Sequence, residues 1–156
     1  MNHEQRLVTQ FYTAFQKLNW EEMSACYHPE ATFADEVFEL AGKDEITGMW
    51  GMLCERAQEF DLQFSDVSAS SDAGRAKWEA IYRFSATGRV VHNRIEAEFV
   101  FQDGLIITHT DRFNFWRWSQ MAFGIPGYAL GWTSFFRKKV QDKAGLNLKS
   151  FVKRNA

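Results

Sequence analysis

Cysteine is scarce: the chain holds only Cys26 and Cys54, with no CxxC pair. The two lie far apart in helical patterns, so no disulfide framework is called for and both read as reduced core thiols. Long apolar runs are missing too. None approaches the ~20 residues that span a bilayer, and the opening MNHEQRLV puts charge where a signal peptide needs an apolar stretch. The expectation is a cytoplasmic chain with no membrane partner. Basic runs are short and the formal net charge is -2. The RKK at 137–139 and the KR at 153–154 read as a solvated helix face, and a nucleic-acid partner is set aside. No internal repeat or low-complexity stretch appears.

Aromatics are abundant instead. Fifteen Phe, six Trp and four Tyr in 156 residues exceed what packing one small core needs. An aromatic-lined cavity is one explanation and a buried subunit interface is another. The length fits one domain, 1–156, with a core over about 1–115 and a helical extension over about 116–156.

The first half reads as three helices. Over 3–18, Leu7, Val8, Phe11, Ala14, Phe15 and Leu18 form one apolar stripe at helical spacing, with Asn2 as N-cap. Asn19 starts a second, short helix with Glu22 placed for a capping box; it presents Met23, Cys26 and Tyr27, and Pro29 ends it. A third helix, about 43–58, carries Ile46, Met49, Trp50, Leu53 and Ala57. Between the second and third, ATFADEVFEL suits a short strand or hairpin around Asp35.

The second half reads as strands over 60–69, 75–87, 90–101 and 105–115. A short helix, WRWSQMAFG, follows. Pro126 and Gly127 then break the chain before a last amphipathic helix at about 133–154. Alternation separates the faces of the strands. One face carries Trp78, Ala80, Tyr82 and Phe84, then Val91, Asn93, Ile95, Ala97 and Phe99. In the last strand Leu105, Ile107, His109, Asp111 and Phe113 join it. A two-residue Gly88-Arg89 turn sets Tyr82 opposite Ile95 and Ala80 opposite Ala97. A three-residue Gln102-Asp103-Gly104 loop sets Ala97 opposite His109 and Ile95 opposite Asp111. On this reading Tyr82 and Asp111 bracket a space roughly 10 Å wide, and the two alanines leave room beside His109.

Four polar side chains thus fall on an apolar face: Tyr82, Asn93, His109 and Asp111. A buried carboxylate is costly unless it is paired or functional. An ion pair adds little to an apolar face, so the His109–Asp111 pair points to proton transfer over mere bracing. No third ligand joins it except Asp35, so no metal is expected. Asp35 itself reads equally well as a turn or cap residue. Glu79, Arg83, Glu96, Glu98 and Arg112 form a mixed-charge opposite face suited to cross-strand pairs.

This order of helices, an Asp-bearing short strand and an antiparallel sheet resembles the nuclear-transport-factor-two-like superfamily. The stretch TGRVVHNRIEAEFVFQDGLIITHTDRFNFWRWSQMAFG resembles its SnoaL-like branch of polyketide cyclase-like and ketosteroid isomerase-like proteins. The resemblance implies an α+β fold: a cone-shaped curved antiparallel sheet wrapped around N-terminal helices, with a C-terminal helical extension. Laid along this chain, the ketosteroid isomerase pattern puts its general-base Asp on Asp35. Its two oxyanion donors fall on Phe11 and Ala97, which supply neither. In SnoaL-like cyclases an acid/base Asp comes from the late strand, the place of Asp111.

The resulting expectation is an acid/base enzyme without cofactors, acting on a small apolar carbonyl compound. Asp111 is its base, His109 the partner acid or orienter, and Asp35 a second carboxylate. Tyr82 and Asn93 line the pocket, Trp50, Phe11 and Phe15 shape its wall, and Tyr12 reaches the mouth. The resemblance also implies a homodimer through the mixed-charge sheet face. The alternative is a non-catalytic module that binds a ligand or dimerises. Trp116, Trp118, Tyr128 and Trp132 either close the mouth or pack on a second subunit.

Overall fold

The structure is a computed structural model that describes residues 1–155. Helix α1 (His3–Gln16) starts at Asn2, whose side chain accepts from Gln5 N while the Gln5 side chain accepts from Asn2 N. That reciprocal pair is a capping box. The box expected at Asn19 is only half made. Asn19 Oδ1 accepts from Glu22 N, but the Glu22 carboxylate meets the Asn19 side-chain amide and not its backbone.

Helix α2 (Trp20–Ser24) stops five residues short of Pro29, which lies inside strand β1 (Tyr27–Ala34). The pairing of β1 slips between Tyr27 and Thr32, and this irregularity admits a residue with no N–H to donate. Cys26 and Tyr27 are therefore buried beyond the helix and not on its face. Strand β2 (Glu39–Ala41), helix α3 (Lys43–Arg56) and strands β3 (Asp61–Ala69), β4 (Ala73–Arg83), β5 (Val90–Gln102) and β6 (Leu105–Arg112) follow. The six strands form one curved open sheet in the order β2-β1-β6-β5-β4-β3. The fold is α+β as expected. The sheet is mixed, because β1 runs parallel to β6 while the other pairs are antiparallel.

Both hairpin turns differ from expectation and move the rows; the first keeps the faces throughout, the second only beyond an irregularity at the start of β6. The β4–β5 loop is four residues, Ser85 to Gly88, closed by Phe84 N donating to Arg89 O at 2.7 Å. Tyr82 therefore faces Val91, Ala80 faces Asn93 and Trp78 faces Ile95. A loop longer by two residues preserves parity, so alternation alone does not reveal it. At the β5–β6 turn, Asp103 and Gly104 both take positive φ, 55° and 75°. This is the two-residue Asp-Gly hairpin. The extra residue sits further on, as an irregularity between Phe101↔Ile106 and Val100↔Thr108. Ile106 consequently points inward in place of Leu105 and Ile107. Beyond the irregularity Phe99 faces His109 and Ala97 faces Asp111.

The inner sheet face packs on α1 and α3 around Phe11, Phe33, Trp50 and Phe99. On the outer face Glu79 meets His92 and Arg94, and Glu98 meets Arg112. These exposed cross-strand pairs each contribute about 0–1 kcal/mol.

The chain continues as α4 (Phe115–Phe123), α5 (Ile125–Leu130) and α6 (Ser134–Arg154). The Pro126-Gly127 segment forms a short helix because proline is tolerated in a first turn. Phe115 and Trp118 of α4 form a second apolar cluster with Val91, and Val37, Tyr82, Phe136 and Val140 pack against it. The far half of α6 sends Leu148 and Phe151 into the main core beside α3. Gly48 and Gly51 permit that approach: a Cβ on Gly48 would lie 2.7 Å from Val152. Among the described residues, no helix is long and apolar enough to cross a membrane.

Candidate active site

His109 is fully buried and Asp111 is 3% exposed. His109 Nε2 lies 2.8 Å from Asp111 Oδ1, and its Nδ1 lies 2.7 Å from the Tyr27 hydroxyl. That hydroxyl also accepts from Trp50 Nε1 at 3.0 Å. An indole N–H can only donate, so the Tyr27 proton is directed at Nδ1. Nδ1 is then the acceptor, and His109 carries its proton on Nε2 and donates it to Asp111. The imidazole ring is enclosed by Phe99, Phe33 and Phe11, with centroids at 4.5, 5.0 and 5.6 Å. With both nitrogens engaged and aromatic rings around it, His109 presents no free ring nitrogen to a ligand.

Asp111 Oδ1 also receives Trp78 Nε1 at 3.4 Å. No donor among the described residues reaches its Oδ2. Trp78 stands where the expected register had Tyr82, and the small neighbours are Ala97 and Ala76, in line with Asp111 and not with His109.

Asp35 leaves the end of β1, where Ala34 pairs in parallel with Thr110, so it comes level with Asp111. Its Oδ1 accepts from both Val37 N and Phe38 N at 2.7 Å, which is the turn role open to it. Burial pushes its carboxyl up to about 7, against the pull of those two backbone bonds, and Asp111 raises it further. Asp35 therefore shares its surroundings with the His109–Asp111 pair. It is also held from the C-terminal side, since Arg137 of α6 pairs with Glu36 and Gln141 Nε2 donates to Glu36 O at 3.1 Å.

The Tyr12 hydroxyl is buried with no hydrogen-bond partner. Burial raises its pKa well above the ordinary value, and nearby Asp111 adds to this. Expected at the mouth, Tyr12 is instead fully enclosed, stacked on Phe64 at 5.4 Å, because α1 is covered on its flank by β3. The remaining candidates spread out. Phe11 and Trp50 pack around His109, and Phe15 packs between Trp50 and Phe60. Tyr82 accepts from Trp118 Nε1 at 3.0 Å and lies within electrostatic reach of Asp35. Asn93 is four residues along β5 from Ala97, about 13 Å away at strand rise.

Two surface hollows lie elsewhere. One of ≈ 620 Å³ opens by Arg75, Glu98, Thr108 and Thr110, and one of ≈ 330 Å³ lies by Asn93, Asn114, Arg117 and Met121. Neither is lined by His109 or Asp111.

Sequence reasoning missed Tyr27 and Trp78 as parts of the site. For Trp78 the face was right and the row was wrong. For Tyr27 the odd-numbered series Tyr27, Ala31, Phe33 was a strand signal, overridden by reading a helix up to Pro29.

A family model for the SnoaL-like domain matches residues 8–109. No curated protein matches the chain. Among solved structures, an NTF2-like protein of unknown function from Burkholderia pseudomallei superposes with TM-score 0.69 at 15% identity, covering 79% of this chain and 99% of the other. An LEH-like epoxide hydrolase from M. tuberculosis gives 0.65 at 16%, covering 81% and 92%. A putative polyketide cyclase from Xanthomonas campestris gives 0.64 at 17%, covering 77% and 96%. At these identities the similarity concerns the fold.

Proposed function

Because the chain belongs to the SnoaL-like domain family, we propose that it is an acid/base enzyme that moves a proton on a small, mostly apolar carbonyl compound, with no cofactor required. The supporting observation is that two neighbouring carboxyls are each anchored through Oδ1, with Oδ2 left over, in unlike surroundings. Asp111, receiving two N–H groups, is the base. Asp35, with its carboxyl near 7, is protonated often enough at neutral pH to return the proton or to donate to the developing enolate oxygen. His109 is a positioning residue that fixes the Asp111 rotamer. The same pair suits activation of a water for hydration, the direction in which the epoxide hydrolase neighbour leans.

The test is exchange of α-protons for deuterium in small apolar ketones, followed by NMR in D2O. Asp111→Asn is expected to slow exchange by roughly 10²–10⁴-fold. An unchanged rate removes the assignment.

A second reading, a non-catalytic binding or dimerisation module, is favoured by one observation. Aromatic side chains fill the space around His109, and both surface hollows lie away from Asp111. Under either reading the mixed-charge outer face is the proposed contact between two copies, and the mass in solution tests it.

A further inference from the structure

The charge of this chain is unevenly divided. Residues 116–156 carry eight Lys/Arg against the single acid Asp142, a formal +7. Residues 1–115 carry ten Lys/Arg against nineteen Asp/Glu, a formal -9. The basic part lies beyond the stretch that matches the family model. It also holds the most exposed apolar side chains after Met1: Ile125 at 83%, Trp132 and Phe135 at 68%, and Tyr128 at 63%.

These features adjoin. Ile125 and Tyr128 lie on α5, Trp132 on the short link, and Phe135 in the first turn of α6. At 100° per residue, Phe135, Lys139, Asp142, Leu146 and Lys149 fall on one stripe of α6, flanked by Lys138 and Lys143. Leu146 is also exposed, and Lys139 Nζ sits 5.1 Å from the Phe135 ring centroid. The one acid of the helix, Asp142, is met by Lys138. Lys139, Lys143 and Lys149 have no acidic partner within 4.0 Å among the described residues.

We propose that α5 and the outer face of α6 dock on an anionic phospholipid surface, with Ile125, Tyr128, Trp132 and Phe135 entering the headgroup–acyl boundary and the lysines contacting the headgroups. Trp and Tyr favour that boundary, where one end of the side chain is apolar and the other wet. The indole donors are already satisfied, Trp132 Nε1 by Ala129 O and Trp116 Nε1 by Tyr128 O, so immersion strands no N–H. Lysine stems lie along apolar surface while their ammonium groups stay with the headgroups. The acidic remainder is repelled by the same surface, which turns the basic face toward it. No spanning segment is needed, so this is compatible with the lack of long apolar runs.

The experiment is flotation of the full chain with phosphatidylcholine vesicles, with and without phosphatidylserine, at low and high salt. Flotation is expected only with phosphatidylserine and only at low salt. The double variant Trp132→Ser/Phe135→Ser should lower partitioning roughly tenfold or more, and Lys138→Gln/Lys139→Gln/Lys143→Gln should do the same. All five side chains are largely exposed, and unchanged melting confirms that the variants fold. Absence of phosphatidylserine-dependent flotation overturns the proposal. So does full binding by the aromatic variant, which would leave charge adsorption alone. A fall in solution mass in the aromatic variant, marking the patch as a contact between copies, overturns it as well.

Discussion

The Tyr27 hydroxyl, 2.7 Å from His109 Nδ1, ties the start of β1 to the middle of β6 inside a shell of aromatic rings. It is also the acceptor for Trp50 of α3, so one phenol oxygen joins three elements and settles the imidazole tautomer. Tyr27→Phe would strand two buried nitrogens at once. Each unmet buried group costs about 1–3 kcal/mol, so a loss of about 2–4 kcal/mol is expected in urea unfolding. A loss below ~1 kcal/mol would show that the hydroxyl is not shared between the two nitrogens.

Asp35 gives a pH signature. Its folded value near 7 lies above the ordinary 3.8. Between those values the folded state binds more protons than the unfolded one, so this group's contribution to stability falls as pH rises through the window. Above about 7 the full penalty is present. Asp35→Asn keeps an oxygen for Val37 N and Phe38 N and removes the charge. The variant should be more stable than the parent at pH 8, on the order of 2 kcal/mol after allowing for partial exposure, and equal to it at pH 3. Thermal melts at the two pH values check this. Its α-proton exchange should fall at the same time, the usual opposition of stability and activity at a site.

Tyr12 is expected to behave in the opposite way from an ordinary core tyrosine. Its hydroxyl is buried and unpartnered, so Tyr12→Phe should be neutral or stabilising by up to ~1 kcal/mol in the free protein. If the hydroxyl meets an oxygen of the substrate, the same variant should raise KM or lower kcat by roughly tenfold. Steady-state kinetics beside a urea titration separate the two effects.

Two glycines of the extension should respond with opposite signs. A Cβ on Gly127 would sit 1.9 Å from Ser119 O, a backbone atom of α4, so Gly127→Ala must push α5 away from α4. A destabilisation of about 1–3 kcal/mol is expected, with α5 displaced. Gly145 meets nothing within 4 Å, and Gly145→Ala should stabilise α6 by about 1 kcal/mol through helix propensity. Melting temperatures of the pair provide the check.

The side chains that share a face were legible because the signal is local. Strand alternation has period two, and it placed His109, Asp111, Tyr82 and Asn93 on one side whatever the turns did. The resemblance carried by the order of helices with an Asp-bearing short strand and by the late strands drew attention to Asp35 and Asp111, and the structure brings both into one neighbourhood. The partners of Asp111 were not legible. A four-residue loop and a two-residue loop have the same parity, so the choice that replaced Tyr82 with Trp78 beside Asp111 left no trace in the alternation. Tyr27 was hidden for a related reason, since a proline that ordinarily ends helices was accommodated by a pairing irregularity set by β6.

The sequence by itself determined the order of the main helices and sheet strands, most of the inward and outward sets, and the uneven charge between the body and the C-terminal helices, because each is a property of neighbours along the chain. Only the tertiary structure decided the rows, the Trp50–Tyr27–His109–Asp111 relay, and the docking of α4 and α6 near Asp35. Those depend on contacts between residues tens of positions apart. Their selection rests on packing and on satisfying buried polar groups, and no short stretch of sequence records either.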